Sequence, residues 1–339
     1  MHEQRSLVLV AGSGRSGTSL FSGILQRLGF HVPAPEVPAD PTNPRGFGES
    51  QWVVDFHTRL LKRARVQVAD ARPAAWAQTA QLCLDEAVRL ELATWLDAQF
   101  AEASHLIVKD PRLSWFLPLW RRCGEAAGAP PRFVTMLRHP AAVIDSKQRW
   151  YGGWQGDVGR AAGWVNQTLF TERATRDAPR AFVSYDDLLD DWTKTVARAG
   201  ETLDLAAVRD APATSMRLVH DFVDRSLSRS RPDWGDMRIP APLRAQADEA
   251  WRLVSALAGG PGDLVALDAA RAAYVELYAE AEAIAGSSVT AAARSRPAHA
   301  NGKLPSPAVW LVRRMPEPYR RRVPPRVRSR LVKVLARGG

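Results

Sequence analysis

The stretch Leu7-Val8-Leu9-Val10-Ala11-Gly12-Ser13-Gly14-Arg15-Ser16-Gly17-Thr18-Ser19-Leu20 decides the fold. Its first five residues form a short continuous apolar run, as expected of a parallel strand buried on both faces. Residues 18–28 place Leu20, Ile24 and Leu28 on one helical face. Between strand and helix lie three glycines, which let the backbone turn tightly and bring its N–H groups close to a ligand. A helix N-terminus adds unpaired N–H groups and partial positive charge. Gly14, Arg15, Ser16, Gly17, Thr18 and Ser19 therefore read as an anion cradle. Gly12 and Gly17 have the spacing of a nucleoside-triphosphate loop, but Thr18 stands where that loop needs lysine, and the cation is Arg15 instead. Kinase-like chemistry is disfavoured on this ground. The Gly12-x-Gly14-x-x-Gly17 pattern lacks the acid after a second strand that a dinucleotide site needs.

Outward from this loop, strands and helices alternate. Leu106-Ile107-Val108, Phe133-Val134-Thr135-Met136-Leu137 and Ala181-Phe182-Val183-Ser184 read as further strands, each running into polar residues and a helix. Residues 49–100 and 243–285 read as mainly helical. The pattern predicts an α/β, P-loop-like three-layer fold: a central parallel sheet with helical insertions and a basic C-terminal extension. A helix is expected to start near Tyr185, capped by Asp186 or Asp187.

Two strand ends carry charge. Leu137-Arg138-His139-Pro140 closes the third strand, and Ser146 falls in the second turn of a helix starting near Ala141. Arginine offers a planar fork to a phosphate, and a serine hydroxyl completes the set, at the strand edge where α/β proteins bind ligands. His139 reads as a neighbour shaping the turn. Ile107-Val108-Lys109-Asp110-Pro111-Arg112 closes the second strand with charges that project into the same crevice, or pair with one another to pin the strand end.

Together these segments resemble the PAPS-dependent sulfotransferases, over roughly residues 7–235. Gly14-Arg15-Ser16-Gly17-Thr18-Ser19-Leu20 is similar to the 5′-phosphosulfate loop, in the arginine-bearing form of the tyrosylprotein, carbohydrate and bacterial enzymes. The resemblance implies that Arg138 and Ser146 hold the 3′-phosphate of 3′-phosphoadenosine 5′-phosphosulfate (PAPS). It implies that Lys109 steadies the sulfuryl oxygens. It also implies a glutamate base about 20 residues beyond the loop arginine. Glu36, in Ala34-Pro35-Glu36-Val37, fits that spacing and is placed slightly ahead. Glu49, in Asn43-Pro44-Arg45-Gly46-Phe47-Gly48-Glu49, fits a local pattern of bacterial members and stands as base or acceptor contact. Phe182-Val183-Ser184-Tyr185-Asp186-Asp187-Leu188-Leu189 resembles a strand–helix junction of the same superfamily. His31 and His57 are weaker candidates. The implied reaction is in-line sulfuryl transfer from PAPS to a hydroxyl acceptor, with no metal. The alternatives are a P-loop nucleotide kinase-like enzyme and a non-catalytic membrane or polyanion adaptor on the same fold.

Among 12 tryptophans, Trp52, Trp150, Trp154 and Trp164 fall near the crevice segments and either stack on sugar rings or fill the core. A glycan or glycolipid acceptor is expected, with a phenolic natural product or a peptide tyrosine as the alternatives. Arg225, Arg229 and Arg231 form either a lid over the nucleotide or a flexible basic loop.

The chain has 339 residues and a net charge of +10, but 13 of its 46 Lys and Arg lie from Thr290 onward against one acid, Glu317. The rest of the chain is near neutral. A basic tail of this kind suggests an anionic partner such as a membrane surface, and no nucleic acid is expected. The expected organisation is a catalytic domain over 1–286, a Ser/Ala/Pro-rich linker over 287–308 and a basic amphipathic tail over 309–339. No signal-like or membrane-spanning run stands out, so a cytoplasmic location, peripheral on the inner membrane face, is expected. Cys83 and Cys123 read as free thiols.

Overall fold

In the computed structural model, residues 5–152, 155–224, 226 and 233–295 are described. Strand β1 (Ser6–Ala11) leads through the glycine loop into α1 (Thr18–Arg27). Helices α2 (Gln51–Ala64), α3 (Ala74–Cys83) and α4 (Glu86–Glu102) precede β2 (His105–Lys109). A 3-10 turn over Leu113–Phe116 and α5 (Leu117–Ala126) follow, then β3 (Arg132–Leu137), α6 (Pro140–Tyr151) and α7 (Asp157–Ala174). Next come β4 (Arg180–Ser184), α8 (Tyr185–Asp190), α9 (Trp192–Thr202), α10 (Ala206–Arg209) and α11 (Ala213–Phe222). Helices α12 (Ala241–Ala256) and α13 (Leu264–Ser295) end the described chain.

The sheet order is β2-β1-β3-β4, with every pair parallel. Alternation along β1 explains the three layers. Leu7, Leu9 and Ala11 face a core with Phe56 and Leu60 of α2, Leu92 and Leu96 of α4, and Trp120 of α5. Val8 and Val10 face the opposite core, with Phe21, Ile24 and Leu25 of α1 and Val196 of α9. A third cluster joins Ile144, Trp164, Val165, Leu253, Val254 and Tyr274. This is the expected α/β architecture with a central parallel sheet and helical insertions.

The chain leaves β1 for β2 on one side, then returns past β1 to β3 on the other. Such a reversal opens a crevice at the carboxyl ends of the strands. Register aligns those ends: Val10 pairs with Lys109, Ala11 with Thr135, and Leu137 with Ser184.

Two details differ from the sequence reading. The side chain capping α8 belongs to Ser184, which accepts from the Asp187 amide at 3.3 Å, rather than to Asp186 or Asp187. Those acids occupy the first turn, where the helix dipole favours them. Residues 287–295 of the expected linker are helical, as the end of α13. The rest of that linker, the basic tail over 309–339, Trp154 and the three arginines at 225, 229 and 231 lie outside the described residues. Among the described residues, no helix is long and apolar enough to cross a membrane.

Candidate active site

The glycine loop has the backbone of an anion nest. Arg15 and Gly17 both adopt left-handed φ, at 76° and 88°. Alternating hand along a short loop turns successive N–H groups toward one point. For Arg15 this conformation costs about 1–3 kcal/mol. Gly17 is the N-cap of α1 and no side chain caps the helix, so its first N–H groups are free to meet a ligand. Gly17 is also required by packing, since a Cβ there would overlap the Tyr185 ring. Ser16 Oγ is buried with no hydrogen-bond partner among the described residues.

The strand ends converge on this loop. Arg15 Nε donates to Ser146 Oγ at 3.0 Å, although the residues lie 131 apart in sequence. Arg138 Nη1 donates to the Arg15 carbonyl at 2.9 Å. Arg138 also lies over the Tyr185 ring, 4.3 Å from its centroid. Burial pulls the Arg138 pKa down against the neighbouring Tyr185 and Asp186, and the Arg15 charge adds to the effect. A buried guanidinium beside a second cation is a strong anion acceptor.

At the other side, Lys109 Nζ donates to Ser19 Oγ at 3.0 Å and to Glu49 Oε1 in a buried ion pair. Burial raises the Glu49 carboxyl, Lys109 opposes that rise, and the neighbouring Asp110 adds to it. Asp110 does not enter the cleft. Its carboxylate accepts from His57 Nδ1 at 2.7 Å and from Arg112 Nη1 at 2.8 Å. Trp120 Nε1 donates to His57 Nε2 at 2.8 Å, and an indole can only donate. The His57 proton therefore sits on Nδ1, facing Asp110. Burial alone would raise the Asp110 carboxyl, but the His57 bond and the Arg112 charge hold it below its ordinary value.

The loop, Arg138, Ser146, Lys109 and Glu49 frame one cleft of about 510 Å³, within the usual range for a ligand site. It is lined by Gly14, Arg15, Gly17, Thr18, Ser19, Glu49, Lys109, Arg138 and Ser146 together. Ser16 lies behind the loop, against a small void of about 10 Å³. Glu36 is not brought in. It is exposed, accepts from Gln26 Nε2 at 2.7 Å, and bridges backbone to Ser50. Of the four tryptophans, Trp150 lines the cleft. Trp52 stacks on Phe56 and Trp95, and Trp164 is buried in the third core cluster. His139 caps α6 through Nδ1, which accepts from the Ala141 amide at 3.3 Å.

Some of the site was missed in the sequence. Residues 40–48 form a strap over the cleft. Arg15 Nη1 donates to the Thr42 carbonyl at 3.2 Å, and Arg45 pairs with Asp224 at 3.1 Å. Phe47, Tyr151 and Phe222 add aromatic surface to the wall. The sequence marks residues 43–49 only as the setting of Glu49; the Thr42 carbonyl and the Arg45–Asp224 pair have no residue-type signal. Among the described residues, no cluster of three or more His, Cys, Asp or Glu side chains is arranged to hold a metal ion.

The family model described as "Sulfotransferase family" matches residues 8–210. Among solved structures, the chain is similar to the sulfotransferase domain of the Synechococcus PCC 7002 olefin synthase. Identity is 18%, coverage is 75% of this chain and 97% of that one, and the TM-score is 0.44. It is also similar to the sulfotransferase domain of the curacin biosynthetic pathway. There the identity is 16%, the coverage 76% and 99%, and the TM-score 0.43. No curated protein matches it.

Proposed function

The chain belongs to the sulfotransferase family, and we propose from that premise that it moves a sulfuryl group from PAPS to a hydroxyl-bearing acceptor. The observation that carries the reading is the contact of Arg15 with Ser146 and of Arg138 with the Arg15 carbonyl. It joins two motifs far apart in sequence across one cleft, as a nucleotide with phosphates at both ends requires. The residues fit such a donor. The loop N–H groups are uncapped, and Arg15, Lys109 and Arg138 supply three cations.

In this reading Gly14–Ser19 and Arg15 hold the 5′ end, and Arg138 and Ser146 hold the 3′-phosphate. PAPS, when bound, supplies an activated sulfuryl group. Glu49 takes the acceptor hydroxyl proton on its carboxylate, in the place that spacing alone would have given to Glu36. The acceptor oxygen then bonds to sulfur as the bond from sulfur to the 5′-phosphate oxygen breaks, and the electron pair stays on that oxygen. Arg15 and the loop N–H groups face the charge that develops there. Lys109 faces the sulfuryl oxygens. The raised Glu49 pKa suits a base, since a carboxylate that binds protons more tightly accepts one more readily.

The acceptor we propose is a glycan or glycolipid. Phe47, Trp150 and Tyr151 supply ring faces along the wall. The basic residues from 290 onward would serve contact with an anionic membrane surface. Two measurements test the function. Adenosine 3′,5′-bisphosphate must bind and ATP must not. Incubation with labelled PAPS and fractionated glycans, lipids and phenols must transfer label to one of these classes. Tight ATP binding in place of the bisphosphate would return the chain to the kinase-like reading.

A further inference from the structure

Lys147 follows Ser146 on α6 but reaches the loop from another direction. Its Nζ donates to Ser13 Oγ at 3.1 Å, a contact spanning 134 residues. Consecutive residues of one helix thus hold the loop at two points: Ser146 through Arg15, and Lys147 through Ser13. Ser13 sits where the loop turns, its carbonyl accepting from the Ser16 amide at 3.1 Å.

The ammonium is poorly compensated. Ser13 is its only hydrogen-bond partner among the described residues, and no carboxylate pairs with it there. The charged group facing it is another cation, Arg160 of α7, whose Nη2 bonds the Gly152 carbonyl. A cation placed beside another cation, with one neutral partner, is costly unless an anion arrives nearby. The loop in front of it is the place where the donor's phosphates are expected.

We propose that Lys147 is a positioning residue for the donor, acting through Ser13 to fix the glycine loop and to add charge beneath the bound phosphates. The inference rests on the PAPS reading above. It adds a residue outside the cleft lining, and it makes donor affinity sensitive to mildly alkaline pH. Burial, with Arg160 adding to it, lowers Lys147 to about 8. Below that pH the ammonium is present. As pH rises through it, the charge and the donation to Ser13 are lost. A bound anion favours the charged form, so affinity for the anion must fall over the same interval. The phosphates do not confound this, because their second ionisation near pH 6 is complete by then.

The test is calorimetric titration of the full chain with adenosine 3′,5′-bisphosphate between pH 7 and pH 9.5. The wild type should lose about tenfold in affinity across the range, the change that one unit of coupled pKa shift produces. K147M should bind about tenfold more weakly at pH 7 and show no such fall. K147R keeps its charge throughout, so it should bind well at both ends of the range. An unchanged affinity and pH profile in K147M overturns the proposal. So does a wild-type fall that persists in K147R, which also covers the case in which K147M does not fold. A wild type that binds no bisphosphate at any pH overturns the donor reading itself, and this inference with it.

Discussion

Lys109 and Glu49 form an ion pair buried at the end of β2, with Ser19 of α1 as the lysine's second partner. The pair joins the residue expected to steady the sulfuryl group to the residue proposed to take the proton. Burial raises the Glu49 carboxyl above its ordinary value, against the opposing charge of Lys109. Glu49→Gln removes the proton acceptor while keeping the shape. Sulfuryl transfer should fall by about 10²–10⁴, as loss of a general base does. Affinity for adenosine 3′,5′-bisphosphate should change little. Full activity in this variant, measured with labelled PAPS, would sink the role given to Glu49. Glu36→Gln is the matched control, and it should keep near wild-type rates.

Arg15 touches both halves of the proposed donor site. Arg15→Ala should lower turnover by about 10²–10³, the effect of removing one donor from a developing oxyanion. Arg138→Ala should act differently, because the proposed reading gives it the 3′-phosphate and not the reacting sulfur. Its loss should appear mainly as weakened bisphosphate binding, measured by calorimetry. If the two variants showed the same pattern, the assignment of opposite ends of the nucleotide would be wrong.

The loop and its helix were legible because each chemical need had a residue type attached to it. Glycines at 12, 14 and 17 announced the turn, and an apolar run of five residues announced the strand. Arg138 and Ser146 were legible for the same reason: one follows a strand and the other a fixed helical offset. The choice between the two glutamates was not legible. Spacing put Glu36 ahead, yet what separates the two glutamates is burial. Residues 35–37 run antiparallel to 49–51, with the Val37 amide donating to the Glu49 carbonyl at 2.8 Å and the Gln51 amide to the Pro35 carbonyl at 2.8 Å. That pairing brings the two carboxyls onto neighbouring backbone, but one points to solvent and the other to Lys109. Side-chain direction of this kind has no signature in a single sequence. The same holds for the Thr42 carbonyl and for Lys147, whose partners lie more than 25 and 130 residues away.

Gly17 carries a left-handed φ of 88° and lies against Tyr185, so Gly17→Ala should meet two penalties. The backbone conformation alone costs about 1–2 kcal/mol in an L-residue. The methyl group must also displace the Tyr185 ring, which lies beneath Arg138. Bisphosphate affinity should therefore drop together with stability. Chemical denaturation and calorimetry on the same sample test this, and a variant that lost neither would refute the packing described.

Asp110 has no part in the proposed proton transfer, yet its removal should be severe. It is buried and holds His57 on one oxygen and Arg112 on the other. His57→Ala leaves the Trp120 indole N–H and one Asp110 oxygen without partners inside the core. Leaving a buried donor or acceptor without its partner costs about 1–3 kcal/mol for each group, and more for a charged one. The midpoint of urea unfolding should fall accordingly, with no change in the slope. Wild-type stability at His57→Ala would mean that the Trp120–His57–Asp110 chain does not hold the end of β2.

The pH dependence of transfer follows from the direction of the Glu49 shift. Burial raises this carboxyl above its ordinary value, and the protonated form cannot accept the acceptor's proton. Activity should therefore be present above the raised pKa and lost as pH falls through it. The acid limb of kcat/KM should lie at higher pH than an ordinary carboxylate would give. Lys109→Met removes the charge that opposes the rise. The Glu49 pKa should climb further, and the acid limb should move to still higher pH. Glu49→Gln should abolish the limb altogether, whatever activity remains. An acid limb that stayed in place in Lys109→Met would show that the two residues are not coupled in the working enzyme, and that another group supplies the base.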